Sequence, residues 1–263
     1  MAKTQDWTEL TRFALSLAEA SAKAILPYFR RNTPIEVKQG PIWDPVTEGD
    51  KAGERAIREL IESRYPDHGI LGEEYGAKPG RSGFTWILDP IDGTRSFVCG
   101  MPVWATLIGL SFEGRPVVGV MDQPFVGDRF YGNPGGAWLD HRGHTQPIRT
   151  RTGVRLAQAT AGTTTPERFR LAGHETAFAG LYKSVKLMRY GGDAYFYSVM
   201  AAGHLDIALD PDLQSYDIAA LIPIVEGAGG VVGSWDGGIP AQGGNIIAAG
   251  SRALLDEALA VMS

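Results

Sequence analysis

Small or apolar side chains recur at three- and four-residue steps through residues 6–30, at Trp7, Leu10, Ala14, Leu17, Ser21, Ala24 and Tyr28. That is the period of an amphipathic helix. Asp6 stands where a helix cap belongs, and Pro27 is placed to kink or end the last turn. A second helix is expected over 48–64, with Ala52, Ile57, Leu60 and Ile61 inward and Pro66 as its stop. The period then shortens. Residues 84–88 form an apolar strand pattern that breaks off at Asp89-Pro90. Runs 105–112 and 116–122 flank Glu113-Gly114, and runs 129–133 and 137–140 flank Pro134-Gly135-Gly136. Both are hairpin patterns, and consecutive hairpins predict an antiparallel sheet within residues 1–150.

Past a soft boundary near Thr150, strand and helix patterns alternate. Strands are expected at 159–164, 185–189, 205–209, 230–234 and 246–249. Helices are expected from Thr165-Pro166 and over 193–202, 215–227 and 252–262. Alternation of this kind predicts layered α/β packing, here in one domain of 263 residues without a flexible linker.

Composition narrows the function. A hydrophobic content of 44% supports a sizeable core, and a net charge of −5 without a Lys/Arg run argues against nucleic acid as the main partner. An acidic protein can still bind phosphate if divalent cations supply positive charge locally. The single cysteine, Cys99, permits no intramolecular disulfide and reads as a small apolar residue. No stretch is long and apolar enough to span a membrane, and the N-terminus carries Asp6 and Glu9 where a signal peptide would be apolar. The expectation is a cytoplasmic protein with neither a membrane nor a nucleic-acid partner.

The strongest chemical signal is Trp86-Ile87-Leu88-Asp89-Pro90-Ile91-Asp92-Gly93-Thr94. An apolar strand delivers Asp89, Asp92 follows after a proline, and Gly93 lets the backbone come close to a ligand. More acids follow the same habit. Glu73-Glu74 closes the short apolar run Gly69-Ile70-Leu71, residues 44–50 open the second helix with Asp44, Glu48 and Asp50, and Asp217 follows Tyr216. Each alone reads as a cap or a solvated turn. Together they form an all-oxygen set without Cys or His, which selects a hard cation such as Mg²⁺ over Zn²⁺.

These segments, with Glu226-Gly227-Ala228-Gly229-Gly230, resemble the inositol monophosphatase family of Mg²⁺-dependent, lithium-sensitive phosphatases, in family order from residue 44 to 230. The resemblance implies an αβαβα five-layered sandwich, a homodimer, and two or three Mg²⁺ ions per site acting on a small phosphate monoester. By the same resemblance, Glu73, Asp89 and the Ile91 carbonyl hold the first ion. Asp89, Asp92 and Asp217 hold the second, and Glu73 a weaker third. Asp50 and Thr94 match the pair that positions and deprotonates the attacking water. Glu74 orients ligands from behind, the amides of Gly93 and Thr94 hold phosphate oxygens, and Arg95 joins the residues facing the substrate. Tyr216 departs from the tryptophan common in inositol phosphatases and points to another branch.

Asp193 alone reads as a helix cap and Asp210-Pro211 as a turn. In family register, counted back from Asp217, both match positions that contact the leaving group, where inositol phosphatases commonly keep a small neutral residue at the Asp193 position. Asp92 to Phe97, Gly191 to Tyr195 and Tyr216 to Leu221 look closest to the histidinol-phosphatase branch. The expected substrate is therefore L-histidinol phosphate. Inositol monophosphate comes next, followed by nucleotide 3′-phosphates or sugar bisphosphates, and the rival class is a regulatory protein that keeps the fold. The five histidines are expected at the surface or in loops, and Tyr195, Phe196 and Tyr197 in packing.

Overall fold

The structure is a computed structural model that describes residues 6–31, 34–38, 43 and 45–262. Helix α1 (Trp7–Ile25) begins at the expected cap, where Asp6 accepts hydrogen bonds from the Thr8 and Glu9 amides. Strands β1 (Ile35–Val37) and β2 (Pro45–Thr47) pair antiparallel. Helix α2 (Glu48–Arg64) starts in a capping box between Thr47 and Asp50. Its buried row runs through Asp50, Gly53, Glu54, Ile57 and Ile61. Leu60, expected inward, flanks that row and is 39% exposed.

The next strands are β3 (Gly69–Gly72), β4 (Gly76–Lys78) and β5 (Phe84–Asp92), and the short helix α3 (Thr94–Val98) follows. After it come β6 (Ala105–Phe112), β7 (Arg115–Gln123), β8 (Asp128–Asn133), β9 (Gly136–His141) and β10 (His144–Pro147). They form one sheet in the order β10-β9-β8-β7-β6-β5-β3-β4. The expected hairpins are present, and Glu113 and Gly114 both take the left-handed backbone that a two-residue turn needs. Two details differ from expectation. Strands β3 and β5 run parallel, so the sheet is not wholly antiparallel. Strand β5 also continues past Pro90, because a register shift between Asp89 and Asp92 absorbs the residue that lacks an N–H.

The second half contributes β11 (Thr160–Thr163), α4 (Pro166–Leu171), α5 (Glu175–Ser184), β12 (Leu187–Tyr190), α6 (Asp193–Ala201) and β13 (Ile207–Leu213). Then follow α7 (Ser215–Ile218), α8 (Leu221–Gly227), β14 (Val231–Ser234), β15 (Gly244–Ala249) and α9 (Arg252–Met262). The second sheet runs β12-β11-β13-β15-β14. The helix expected over 215–227 is two helices. Pro223 cannot donate to the Ala219 carbonyl, and the chain breaks at 219–220.

Helices α1 and α2 pack on one face of the first sheet around Leu17, Ile57, Ile61 and Trp86. Helices α6 and α8 lie between the sheets around Phe130, Tyr197, Leu221 and Ile246. Helices α5 and α9 cover the far face of the second sheet around Leu181, Ile207 and Leu255. The result is the αβαβα layering. The middle contact is close: a Cβ on Gly119 would stand 1.8 Å from the Ala220 carbonyl oxygen, so this sheet position must be glycine. Tyr197 is core, as expected. His68 is not a surface residue; it is buried, stacks between Tyr65 and Phe84, and its Nδ1 accepts from Trp86 Nε1 at 3.1 Å. Among the described residues no helix is long and apolar enough to cross a membrane.

Candidate metal centre and substrate cavity

Chain segments from both halves converge on one cavity of about 420 Å³. Its acidic floor carries Glu73 from the β3–β4 turn, Asp89 and Asp92 from the end of β5, and Asp217 from the start of α7. Ile91, Gly93, Thr94 and Arg95 continue the lining into α3, and Asp193 and Asp210 stand on the wall formed by α6 and β13. Asp50 and Glu74 are not on the lining, and Asp44 lies outside the described residues.

On the floor, carboxylate oxygens of Asp89, Asp92 and Asp217 lie within 4.8 Å of one another. The β5 bulge makes this possible, because it keeps Asp92 at the sheet end while the chain turns toward α3. Burial raises the Asp89 carboxyl well above its usual range, and the charges of Glu73, Asp92 and Asp217 raise it further. Burial likewise raises Asp92, with Asp193 and Asp217 adding and the Ala194 N–H, at 2.8 Å, opposing. Asp217 is pushed up to about 7 by burial, against a 2.8 Å bond from the Gln214 amide. Among the described residues, Asp89 Oδ1 is buried without a hydrogen-bond partner. Crowded carboxylates with an unused buried oxygen fit a hard divalent cation, which would satisfy the lone pairs and offset the repulsion.

Gly93 turns the chain in the left-handed region, and a Cβ there would stand 2.9 Å from Asp193 Oδ2. The Thr94 hydroxyl donates to the Ile91 carbonyl at 3.0 Å, and Asp50 accepts from the Thr47 amide and hydroxyl at 2.7 and 2.6 Å. Burial pushes Asp50 up to about 7; the Thr47 bonds oppose this and the charges of Glu74 and Glu73 add to it. Burial also raises Glu74. Arg95 reaches the cavity, but its guanidinium donates to the Trp43 carbonyl at 3.1 and 2.6 Å. On the wall, Ser96 Oγ donates to Asp193 Oδ2 at 2.8 Å. Asp210 accepts from Thr163 Oγ1 and the Thr164 amide at 2.9 and 2.8 Å. Burial raises both acids, Asp210 to about 6.

Three residues escaped the sequence reading. Lys38 donates to Glu73 and Glu74, each at 2.8 Å. Burial pulls its ammonium down, but the two carboxylates outweigh that and hold it charged. Glu54 is fully buried behind the β3–β4 turn. Its one sequence signal is a carboxylate on the apolar row of α2. Arg168 of α4 lines the cavity and tempers the acids Asp193, Asp210 and Asp217. Neither Lys38 nor Arg168 belongs to any motif.

Comparison with known proteins agrees with this geometry. The model of the inositol monophosphatase family matches residues 6–262. Bifunctional phosphatase IMPL2, chloroplastic, of Arabidopsis thaliana is 37% identical over 266 residues, covering 96% of this chain and 75% of that protein. Histidinol-phosphatase of Streptomyces coelicolor is 34% identical over 98% of both chains. An inositol monophosphatase from Zymomonas mobilis superposes with a TM-score of 0.86 at 35% identity, over 98% of this chain and 99% of that one. Matched from end to end by the family model and by relatives over nearly their whole length, the chain belongs to the inositol monophosphatase family and is a phosphoric monoester hydrolase.

Proposed function

We propose that this hydrolase is Mg²⁺-dependent and cleaves L-histidinol phosphate to L-histidinol and phosphate. The observation that carries the metal reading is the buried Asp89-Asp92-Asp217 floor with its unpartnered Asp89 oxygen. Glu73, Asp89 and the Ile91 carbonyl would hold one ion, Asp89, Asp92 and Asp217 a second, and Glu73 a third. Bound Mg²⁺ would neutralise the phosphate, lower the pKa of the attacking water and stabilise the leaving alkoxide.

The chain's own groups do the rest. The Gly93 and Thr94 amides hold phosphate oxygens. Asp50 is set behind the lining on Thr47; by the family resemblance it is the base, and a carboxyl raised to about 7 suits that role near neutral pH. Thr94, oriented by the Ile91 carbonyl, aligns the attacking water. Glu74 keeps Lys38 beside Glu73.

Asp193 and Asp210 carry the substrate reading. Asp193 stands beside Gly93 and Asp210 lines the same cavity, with Asp212 and Glu167 adding negative charge and Arg168 as counterweight. The wall therefore keeps an excess of carboxylates. An ammonium or imidazolium leaving group draws these raised carboxyls into their ionised form and gains charge-assisted hydrogen bonds, whereas a neutral polyol gains little. Relatives named histidinol-phosphatase support this choice. Inositol 1-phosphate is the second reading, favoured by the Zymomonas mobilis likeness. A homodimer and a cytoplasmic location complete the proposal.

The test is phosphate release from histidinol phosphate and from inositol 1-phosphate, each with Mg²⁺ and with chelator. Faster turnover of histidinol phosphate that depends on Mg²⁺ is expected. A preference for inositol 1-phosphate overturns the substrate, and full activity in metal-free buffer overturns the metal.

A further inference from the structure

The turn that carries Glu73 and Glu74 is held from behind by a charge inside the protein. Glu54 is fully buried on α2, one helical turn after Asp50. Its Oε2 accepts from the Glu74 amide at 2.8 Å, and its Oε1 accepts from the Tyr75 amide at 3.2 Å and from Arg58 Nε at 2.7 Å. Arg58 also donates to the Gly76 carbonyl, so carboxylate and guanidinium together grip three consecutive residues of the turn. The fit leaves no slack: a Cβ on Gly72 would stand 1.9 Å from Glu54 Oε1. In front, Lys38 bonds Glu73 and Glu74. The Glu73 amide donates to the Leu88 carbonyl, one residue before Asp89.

A buried carboxylate is costly unless its oxygens are satisfied, and here they are spent on backbone amides of a turn rather than on a solvent-facing partner. We propose that Glu54 is a positioning residue for metal binding: by clamping the Glu74 and Tyr75 amides it sets where the Glu73 carboxylate meets the Asp89-Asp92-Asp217 floor. Asp50 and Glu54 share one face of α2, so the same helix places both the proposed base and the turn. The inference rests on the metal reading of this cavity. Glu54 touches neither the cavity nor a ligand and acts through Glu73.

The variant Glu54→Gln keeps the shape of the side chain. Its amide offers one oxygen to three donors and turns an N–H₂ toward the rest, so the turn must shift. Outer partners of metal ligands typically govern affinity by roughly 10- to 100-fold, and a loss of Mg²⁺ affinity in that range is expected. It is measured without substrate, by calorimetry and by the Mg²⁺-induced rise in Tm. In assays the Mg²⁺ activation constant should rise in parallel, with kcat recovering toward wild type at high Mg²⁺. Ile57→Val, on the same buried row but away from the turn, is the control and should lower Tm with Mg²⁺ affinity unchanged. If Glu54→Gln does not yield folded protein, Gly72→Ala displaces the carboxylate from the other side and should show the same loss. Mg²⁺ affinity within about twofold of wild type in a folded Glu54→Gln protein, or an equal loss in Ile57→Val, overturns the proposal. Wild-type protein that binds no Mg²⁺ removes the metal reading itself, an outcome the wild-type titration separates from the other two.

Discussion

The floor and the wall of the cavity are both acidic, yet their carboxylates are treated differently. On the wall, Asp210 accepts from Thr163, Thr164 and Tyr197, and Asp193 accepts from Ser96. On the floor, among the described residues, Asp92 and Asp217 each accept one backbone amide, and Asp89 Oδ1 accepts nothing. The wall is finished by the protein, while the floor leaves lone pairs for something else. Buried groups left unsatisfied are rare in folded proteins, and the difference is the one the proposed roles require, a wall for an organic group and a floor for an ion.

The floor should therefore fail harder than the wall when one charge is removed. Asp89→Asn is expected to lose well over tenfold in kcat, more than about 1.4 kcal/mol of barrier, while the metal-free fold keeps its Tm because burial already favours the neutral carboxyl and Asn keeps its shape. Retention of more than a tenth of wild-type kcat would place Asp89 outside the metal set. Thr94→Ala probes the seam between floor and wall. Its hydroxyl is expected to act mainly in the transition state, so kcat should fall more than KM rises. A change confined to KM would assign Thr94 to substrate holding.

On the wall, Asp193→Ala should shrink the preference for histidinol phosphate over inositol 1-phosphate by roughly 10- to 150-fold, the worth of one charge-assisted hydrogen bond at about 1.5–3 kcal/mol. An unchanged ratio of kcat/KM values would take Asp193 out of specificity.

The smallest effect sharpens the contrast through pH. The Asp217 carboxyl titrates in the fold at about 7, far above its value in an unfolded chain. Between about pH 4 and 7 the metal-free fold then binds more protons than the unfolded chain, so its stability falls as pH rises through that window. Mg²⁺ needs the ionised carboxylates and offsets the loss. The Mg²⁺-induced gain in Tm should be several degrees larger at pH 8 than at pH 5, at roughly 2–4 °C per kcal/mol for a chain of this size. An equal gain at both pH values would mean that the floor does not hold the ion.

Much of the fold was legible in the chain. The α1 face, the Asp6 cap, the bounds of α2 and the Glu113-Gly114 hairpin follow from local periods and turn chemistry, because those interactions close within a few residues. Pro90 misled, since a proline ends a strand locally but is tolerated where a neighbouring strand can shift register. Pro223 misled in the opposite way: the apolar run hid a break that the missing N–H required. His68, expected at the surface or in a loop, lies in a bend but is buried, because nothing local announces the Tyr65 and Phe84 rings that enclose it.

At the cavity the same division holds. The residues themselves determined a cluster of carboxylates without sulfur or imidazole, spread along the chain at the ends of apolar runs, and that composition alone points to a hard cation. Which acids meet is a long-range matter. Asp89 and Asp217 are far apart in sequence and come together only because β5 ends where α7 begins. Glu54, Lys38 and Arg168 carry no motif, and their roles depend on groups that folding brings near: two amides of a distant turn, two carboxylates, and an acidic wall. Sequence determined the kinds of groups available, because side-chain chemistry is local. Tertiary structure decided which were left unsatisfied, because that depends on who the neighbours are.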